Sequence, residues 1–306
     1  MKTLRRRGFL SRRGHYGGPI SILLFLLPGV GLYTVVMVYP AVQSMIYSVI
    51  EWQGVRPVWR FGGFGQYARM LADPIVRMAL VNNLRAISLH VFIGLPLALL
   101  LAFGLTRRVR GALAFRFLYY FPNVATVTIL AVMWKFLFTQ EYGLNAVLRL
   151  LGLGSLIRPW LSTDGIVQWT TNIPSTWQAV GFWAVIFVAA ISGISRELYE
   201  AARIDGANAW HEFIYIVLPS IRNVYLSATV ASVNWALGTY IYQYIMTEGG
   251  PLHKSQTLTS YIVVRLYSRE LVDWAYGSTL AVLQFALGVV VSAAVWRLSR
   301  RRRETA

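Results

Sequence analysis

Residues Glu197–Pro219 read ELYEAARIDGANAWHEFIYIVLP, a polar stretch set between two long apolar blocks. Four of the chain's twelve carboxylates fall in it: Glu197, Glu200, Asp205 and Glu212. Glu197–Arg203 is made mostly of good helix formers, and Asp205-Gly206 is a strong turn signal. Ala207–Val217 resumes a helix, with Trp210, Phe213, Ile214 and Val217 spaced to share one apolar face. Pro219 closes the segment. This pattern predicts a helix–turn–helix lying on a membrane surface. Its apolar stripe fits either a groove on another protein or the chain's own bundle.

The rest of the chain supplies the membrane. Of 306 residues, 56% are hydrophobic and 13% charged, and the mean hydropathy is +0.52. A soluble domain carries about 25% charged residues, so this is the composition of an integral membrane protein. The absence of cysteine excludes disulfides, thiolate metal sites and thiol nucleophiles. None of the three lysines (Lys2, Lys135, Lys254) follows a glycine, so the chain has no G-x-x-x-x-G-K-[ST] phosphate loop with which to hydrolyse ATP. Met1–Ile20 is Arg-rich, and the apolar run after it lacks a small-residue cleavage site, which predicts an uncleaved first span.

Six segments are long and apolar enough to cross a bilayer, each needing ~20 residues. They are Ile20–Tyr39, Ile87–Leu105, Leu113–Phe138, Trp177–Ile194, Val224–Met246 and Tyr276–Trp296; Pro122 and polar residues interrupt the third and fifth. The expected fold is an all-α polytopic membrane protein with six transmembrane helices. Residues 1–19 and 297–306 form basic tails, 20–296 the six-span domain and 195–220 the loop quoted above. Eighteen of the 29 basic residues flank one membrane face, at the two termini and the second and fourth loops. The excess predicts that both termini and the Glu197–Pro219 loop face the cytoplasm. The net charge of +17 then reads as a topology signal and contact with anionic lipid, not nucleic-acid binding.

None of the twelve carboxylates lies inside an expected span. Ion-driven carriers keep intramembrane ionisable groups for the coupling ion; the candidates here are His90, read as a packing histidine, and Lys135, read as snorkelling to the interface. An ion-coupled secondary carrier is therefore the weaker alternative. A membrane enzyme would need clustered acids or histidines, and His15, His90, His211 and His253 are scattered.

Glu200-Ala201-Ala202, Asp205-Gly206-Ala207, Phe213, Ile216, Leu218 and Pro219 form EAA-x-x-DGA-x-x-x-x-x-F-x-x-I-x-LP. This resembles the signature loop of the membrane subunits of ATP-binding-cassette (ABC) importers. TEGGP (Thr247–Pro251), YPAVQSMIYSVIEW (Tyr39–Trp52), FGGFGQYARMLADP (Phe61–Pro74) and ISRELYEAARIDGA, where Ser195 replaces a frequent Pro, are similar to the MalF-like sugar permeases, closest to their six-span members. The resemblance implies a non-enzymatic permease subunit without a cofactor of its own, ATP and Mg being bound by a dimeric ATPase subunit. It also implies a second, unlike permease subunit, an extracytoplasmic solute-binding protein, a sugar substrate and the cell inner membrane. The quoted loop would be the coupling helix seated in the ATPase, with Gly206 supplying its turn. Glu200 and Asp205 would make polar contacts or fix the loop, and Trp210 and Phe213 would be groove anchors.

For the sugar path, which needs aromatic faces and hydrogen bonds within spans, Asn234, Gly238 and Tyr242 fall on one helical face of the fifth span and Thr239 and Gln243 on the adjacent strip. Trp177, Gln178 and Gly181 join from the fourth span, Ser278 and Gln284 from the sixth. The alternative for each is interhelical bonding and small-residue packing. The longest outside loop, Thr139–Thr176, carries a short helix over Gly143–Leu153. With Phe61–Pro74 it either receives the binding protein or packs as a lid.

Overall fold

Apolar runs with no water to satisfy their backbone must close their hydrogen bonds internally, and helices do this. The computed structural model describes residues 19–52, 59–107, 112–267 and 272–301. In chain order its helices are α1 (Ser21–Tyr47), α2 (Gly65–Ala72), α3 (Pro74–Thr106), α4 (Ala112–Val124), α5 (Val127–Leu137), α6 (Gly143–Leu150) and α7 (Val167–Ser192). They continue with α8 (Arg196–Ile204), α9 (Ala209–Ser220), α10 (Arg222–Gly238), α11 (Ile241–Thr247), α12 (Leu258–Tyr267) and α13 (Trp274–Arg301). Most of the two basic tails, with Arg108 and Arg110, lies outside the described residues.

The fold is the expected all-α polytopic one, with corrected boundaries. Among the described residues four helices, α1, α3, α7 and α13, are long and apolar enough to span a membrane unaided. The second span begins at Pro74 rather than Ile87. The Asp73 carboxylate caps it, accepting from the Ile75 amide at 2.8 Å, and Pro74 at the first turn leaves no donor unsatisfied. At 33 residues and 1.5 Å per residue, α3 is about 50 Å long and outruns a ~30 Å hydrocarbon core. The fourth span begins at Val167 rather than Trp177, which moves ten polar-rich residues from the outside loop into a helix. The first span extends to Tyr47.

The third and fifth spans are broken. α4 stops at Val124 and α5 restarts at Val127, Thr126 Oγ1 capping it by accepting from the Ile129 amide at 3.4 Å. α10 stops at Gly238, and Thr239 and Tyr240 run non-helically to α11. Asn234, Gly238 and Tyr242 therefore do not share one continuous face: Asn234 and Gly238 are exposed on α10, while Tyr242 is 1% exposed on α11.

The most extensive packing joins α3 to α7. Gly94, Ala98 and Ala102 repeat every fourth residue and bring the α3 backbone close to Ala179, Trp183, Ala184 and Phe187; a Cβ on Gly94 would stand 3.2 Å from Thr176 Cγ2. Small residues do this in bilayers, where apolar burial supplies no force between helices. At the other end of α3, Asp73 accepts from the Tyr261 and Tyr276 hydroxyls at 2.8 and 2.6 Å, tying it to α12 and α13. No residue of α1 is buried, and its last turns lean on α13.

Candidate functional site

The Glu197–Pro219 elbow is capped at both ends of its first helix and at the start of its second. Ser195 Oγ accepts from the Glu197 amide at 3.3 Å to start α8. At its finish the Ala207 amide bonds the Ala202 carbonyl at 2.8 Å and the Gly206 amide the Arg203 carbonyl at 3.1 Å. These are the two bonds of a Schellman stop, and they require a left-handed residue; Gly206 provides it with φ +79°. Asn208 Oδ1 then starts α9 by accepting from the Trp210 and His211 amides, both at 3.0 Å. The D-G-A spacing is thus a helix stop and the following Asn a helix start.

The faces of the elbow divide. Glu200, Ala201, Asp205 and Gly206 are exposed, Ala202 and Ala207 half-buried, and Leu218 and Pro219 open at the far end. Trp210 is 59% exposed and Ile204 87%. Phe213 is 7% exposed and packs with Val217 on α3 and α7, which corrects its expected role as an anchor in a foreign groove. Trp210 stacks on it at 5.5 Å. Burial and the neighbouring Glu212 carboxylate push the Tyr199 phenol above its ordinary range.

Within the bundle a polar layer crosses α7, α11 and the break in α10. Gln243 Nε2 donates to Asn172 Oδ1 at 3.0 Å, and the Tyr242 hydroxyl donates to Gln178 Oε1 at 3.2 Å. Gln178 Nε2 in turn donates to the Pro122 carbonyl at 3.1 Å. That carbonyl needs a donor because α4 ends before a helical amide can reach it. The carbonyls freed at the α10 break are likewise served from outside. Thr259 Oγ1 donates to Leu237 O at 2.7 Å and Thr257 Oγ1 to Thr239 O at 3.2 Å, while Asn83 Nδ2 stands 3.5 Å from Ala236 O and Leu237 O.

Of the path candidates, the structure therefore brings together Tyr242, Gln243 and Gln178, and places Thr239 at the break. Gly181 is buried, and a Cβ there would overlap the Tyr119 carbonyl oxygen, so this glycine lets α4 touch α7. Trp177 meets Trp134 edge-on at 5.6 Å. Ser278 is buried on α13. Asn234 and Gln284 line a cavity of about 650 Å³ between α10, α12 and α13; Asn234 Nδ2 donates to Ser292 Oγ at 3.2 Å, and the Gln284 side-chain amide lies 2.9 Å from the Thr259 hydroxyl.

The sequence reading missed Asn82, Asn83, Gln168 and Asn172, all buried, because it placed them in loops. A signal was present: Gln168, Asn172 and Thr176 recur every four residues, a polar stripe on one helical face. Asn82 Nδ2 donates to the Lys254 and Gln256 carbonyls at 2.8 and 2.9 Å, and Asn83 Oδ1 accepts from the Leu258 amide at 2.8 Å. These bonds pin the segment after TEGGP to α3. On the same side, the Lys254 ammonium pairs with Asp164, and its hydrogen bond holds that exposed carboxyl below the usual carboxylate range. In the Gln140–Trp160 loop, the expected short helix forms as α6, and the buried Asn145 ties it to Gln140 O, Arg158 O and Trp160 Nε1.

Broken spans around a buried polar layer, with a capped elbow on the surface, are the architecture of a multi-pass membrane protein. The chain belongs to the binding-protein-dependent transport system inner membrane component family, whose model matches residues 94–304. It is 32% identical over 273 residues to a probable ABC transporter permease of Pyrococcus horikoshii, covering 88% of this chain and 92% of that one. It is 30% identical to a diacetylchitobiose uptake system permease of Streptomyces coelicolor (91% and 82% covered) and 28% identical to a lactose transport system permease of Rhizobium radiobacter (92% and 94%). Its fold matches a chain of a bacterial ABC transporter that imports alginate, with a TM-score of 0.79 at 20% identity, covering 92% and 96%. Members of this family are non-enzymatic membrane components, and the family match gives no support to an ion-coupled carrier.

Proposed function

We propose that this chain is one of two unlike permease subunits of an ATP-driven sugar importer. A dimeric ATPase subunit docks on the Glu197–Pro219 elbow and a solute-binding protein delivers sugar on the opposite face. Both termini and the elbow lie in the cytoplasm. The observation that carries the reading is the Schellman-stopped elbow, which holds Trp210 and Ile204 outward on a rigid mount. Relatives named for diacetylchitobiose and lactose uptake support a carbohydrate substrate. The alginate transporter solved with a pentasaccharide-bound periplasmic protein supports the binding-protein partner. ATP and Mg belong to the ATPase subunit.

The α10 break is the proposed centre of the sugar path. Transporters place substrate where a helix is interrupted, because unwound backbone is tolerated in a membrane only beside a cavity or buried in protein. Asn234, Gly238 and Thr239 border the break and Gln284 lies behind it; Trp177, Gln178, Gly181, Tyr242, Gln243 and Ser278 shape its walls. The unburied α1 is offered to lipid and to the second permease subunit. The test is uptake by the complete transporter in proteoliposomes, with lactose, diacetylchitobiose, alginate oligosaccharides and glycerol phosphate as probes. ATP-dependent accumulation of at least one sugar is expected. Uptake by this chain alone without ATP would overturn the reading.

A further inference from the structure

We infer that Glu212 and Arg107 form the joint through which movement of the elbow enters the α3 span. The inference rests on the proposed docking of the ATPase on that elbow. Glu212 is 3% exposed yet belongs to a surface helix, one residue beyond His211. It accepts from Arg203 Nε at 3.0 Å, in the last turn of α8, and from the guanidinium of Arg107, the residue that ends α3. One carboxylate thus ties both arms of the elbow to a span. A buried charge needs such partners, and charge-assisted bonds from arginine are the strong ones.

The neighbouring side chains make the grip two-sided. Phe213 packs on Phe103 with ring centroids 5.1 Å apart, and the Arg107 guanidinium lies 4.5 Å over the same Phe103 ring. The end of α3 is therefore held by an ion pair on one side and by the tilted Phe103–Phe213 ring pair on the other. The opposite half of α3 carries Asn83, which holds Leu258 N at 2.8 Å and faces the broken end of α10. A displacement of Glu212 has a continuous helical route, α3, to the break where the sugar path is proposed. Glu212 and Arg107 act as positioning residues: neither needs to touch substrate or nucleotide.

The chain has no cysteine, so Leu97→Cys on α3 and Leu198→Cys on α8 are the two spin-label sites it carries, and the other subunits are used in cysteine-free form. The distance is measured in the complete transporter, nucleotide-free and trapped with ATP and vanadate. With the native joint, the two labels are expected to keep one distance to within about 2 Å, the scale of a packed helix shift. Glu212→Gln and Arg107→Gln are each expected to let it change by more than about 5 Å, roughly one helical turn. Arg107→Lys, which keeps the charge, is expected to stay locked and serves where Arg107→Gln fails to insert. A native pair that separates on trapping, or Gln variants that stay locked, would overturn the joint. A photocrosslinker replacing Ile204 reads ATPase docking separately. If it crosslinks while the native labels separate, the joint fails and the docking stands; without a crosslink the docking fails and the joint falls with it.

Discussion

Gln243 Nε2 meets Asn172 Oδ1 at 3.0 Å across 71 residues of sequence, and neither side chain exceeds 1% exposure. The bond seals α11, the short half of a broken span, to the unbroken α7. Thr257 and Thr259 serve backbone carbonyls freed at the end of α10; Asn172 instead holds α11 through a side chain, where α11 is too short to be fixed by its own length.

Removing both partners should cost less than the two separate removals added together. Asn172→Leu strands the Gln243 amide in a dry interior, which costs about 1–3 kcal/mol. The double variant Asn172→Leu/Gln243→Leu leaves no stranded group at this bond, so it should lose less than the sum of the two singles. Thermal unfolding of the four proteins in detergent closes the cycle. Additive losses would show that the bond carries no coupling.

Gly181 gives a steric prediction. An added methyl would overlap the Tyr119 carbonyl oxygen, so Gly181→Ala has to push α4 away from α7. Overpacking of this kind costs about 1–3 kcal/mol. Gly206 provides the contrast, since a Cβ there meets nothing. Gly181→Ala should lower the melting temperature while Gly206→Ala, strained only through φ, should lower it less.

The sequence made the apolar blocks and the D-G-A turn legible because both are local. Six stretches of bilayer length and a Schellman stop each depend on residues within a few positions of one another. Gln168–Thr176 was not legible as helix because hydropathy weighs each side chain by its own polarity. In the fold, Gln168, Thr171, Asn172 and Ser175 are sealed by other helices, and the last three bond back to backbone carbonyls of the same helix. Polar residues in a span face the bundle interior, and only the packing reveals that. Phe213 failed for a related reason: periodicity gave its face, and α3 took it before any partner could. The Glu212–Arg107 pair joins positions 105 residues apart, beyond any local pattern.

Gly206→Asp tests the elbow as a coupling element. With φ at +79°, an L side chain costs on the order of 1 kcal/mol, and a carboxylate is added on the face proposed for ATPase docking. The chain should still insert and pair with the proposed second permease subunit, while ATP-driven uptake is abolished. Normal uptake by this variant would refute the coupling assignment.

Acid should loosen the junction of α3 with α12 and α13. Burial alone would raise the Asp73 carboxyl, but hydrogen bonds from Tyr276, Tyr261 and the Ile75 amide, with the Arg265 charge nearby, hold it below its ordinary 3.8. A depressed carboxylate contributes stability that is fully present above the unfolded value and lost as pH falls through the lower folded value. The loss therefore belongs below pH 3.8. Asp73→Asn removes this titration and the negative charge. Its melting temperature should fall below the native one at pH 6, and the gap should narrow as both proteins are acidified through that window. A gap that stays constant with pH would show that Asp73 stabilises the junction through shape alone.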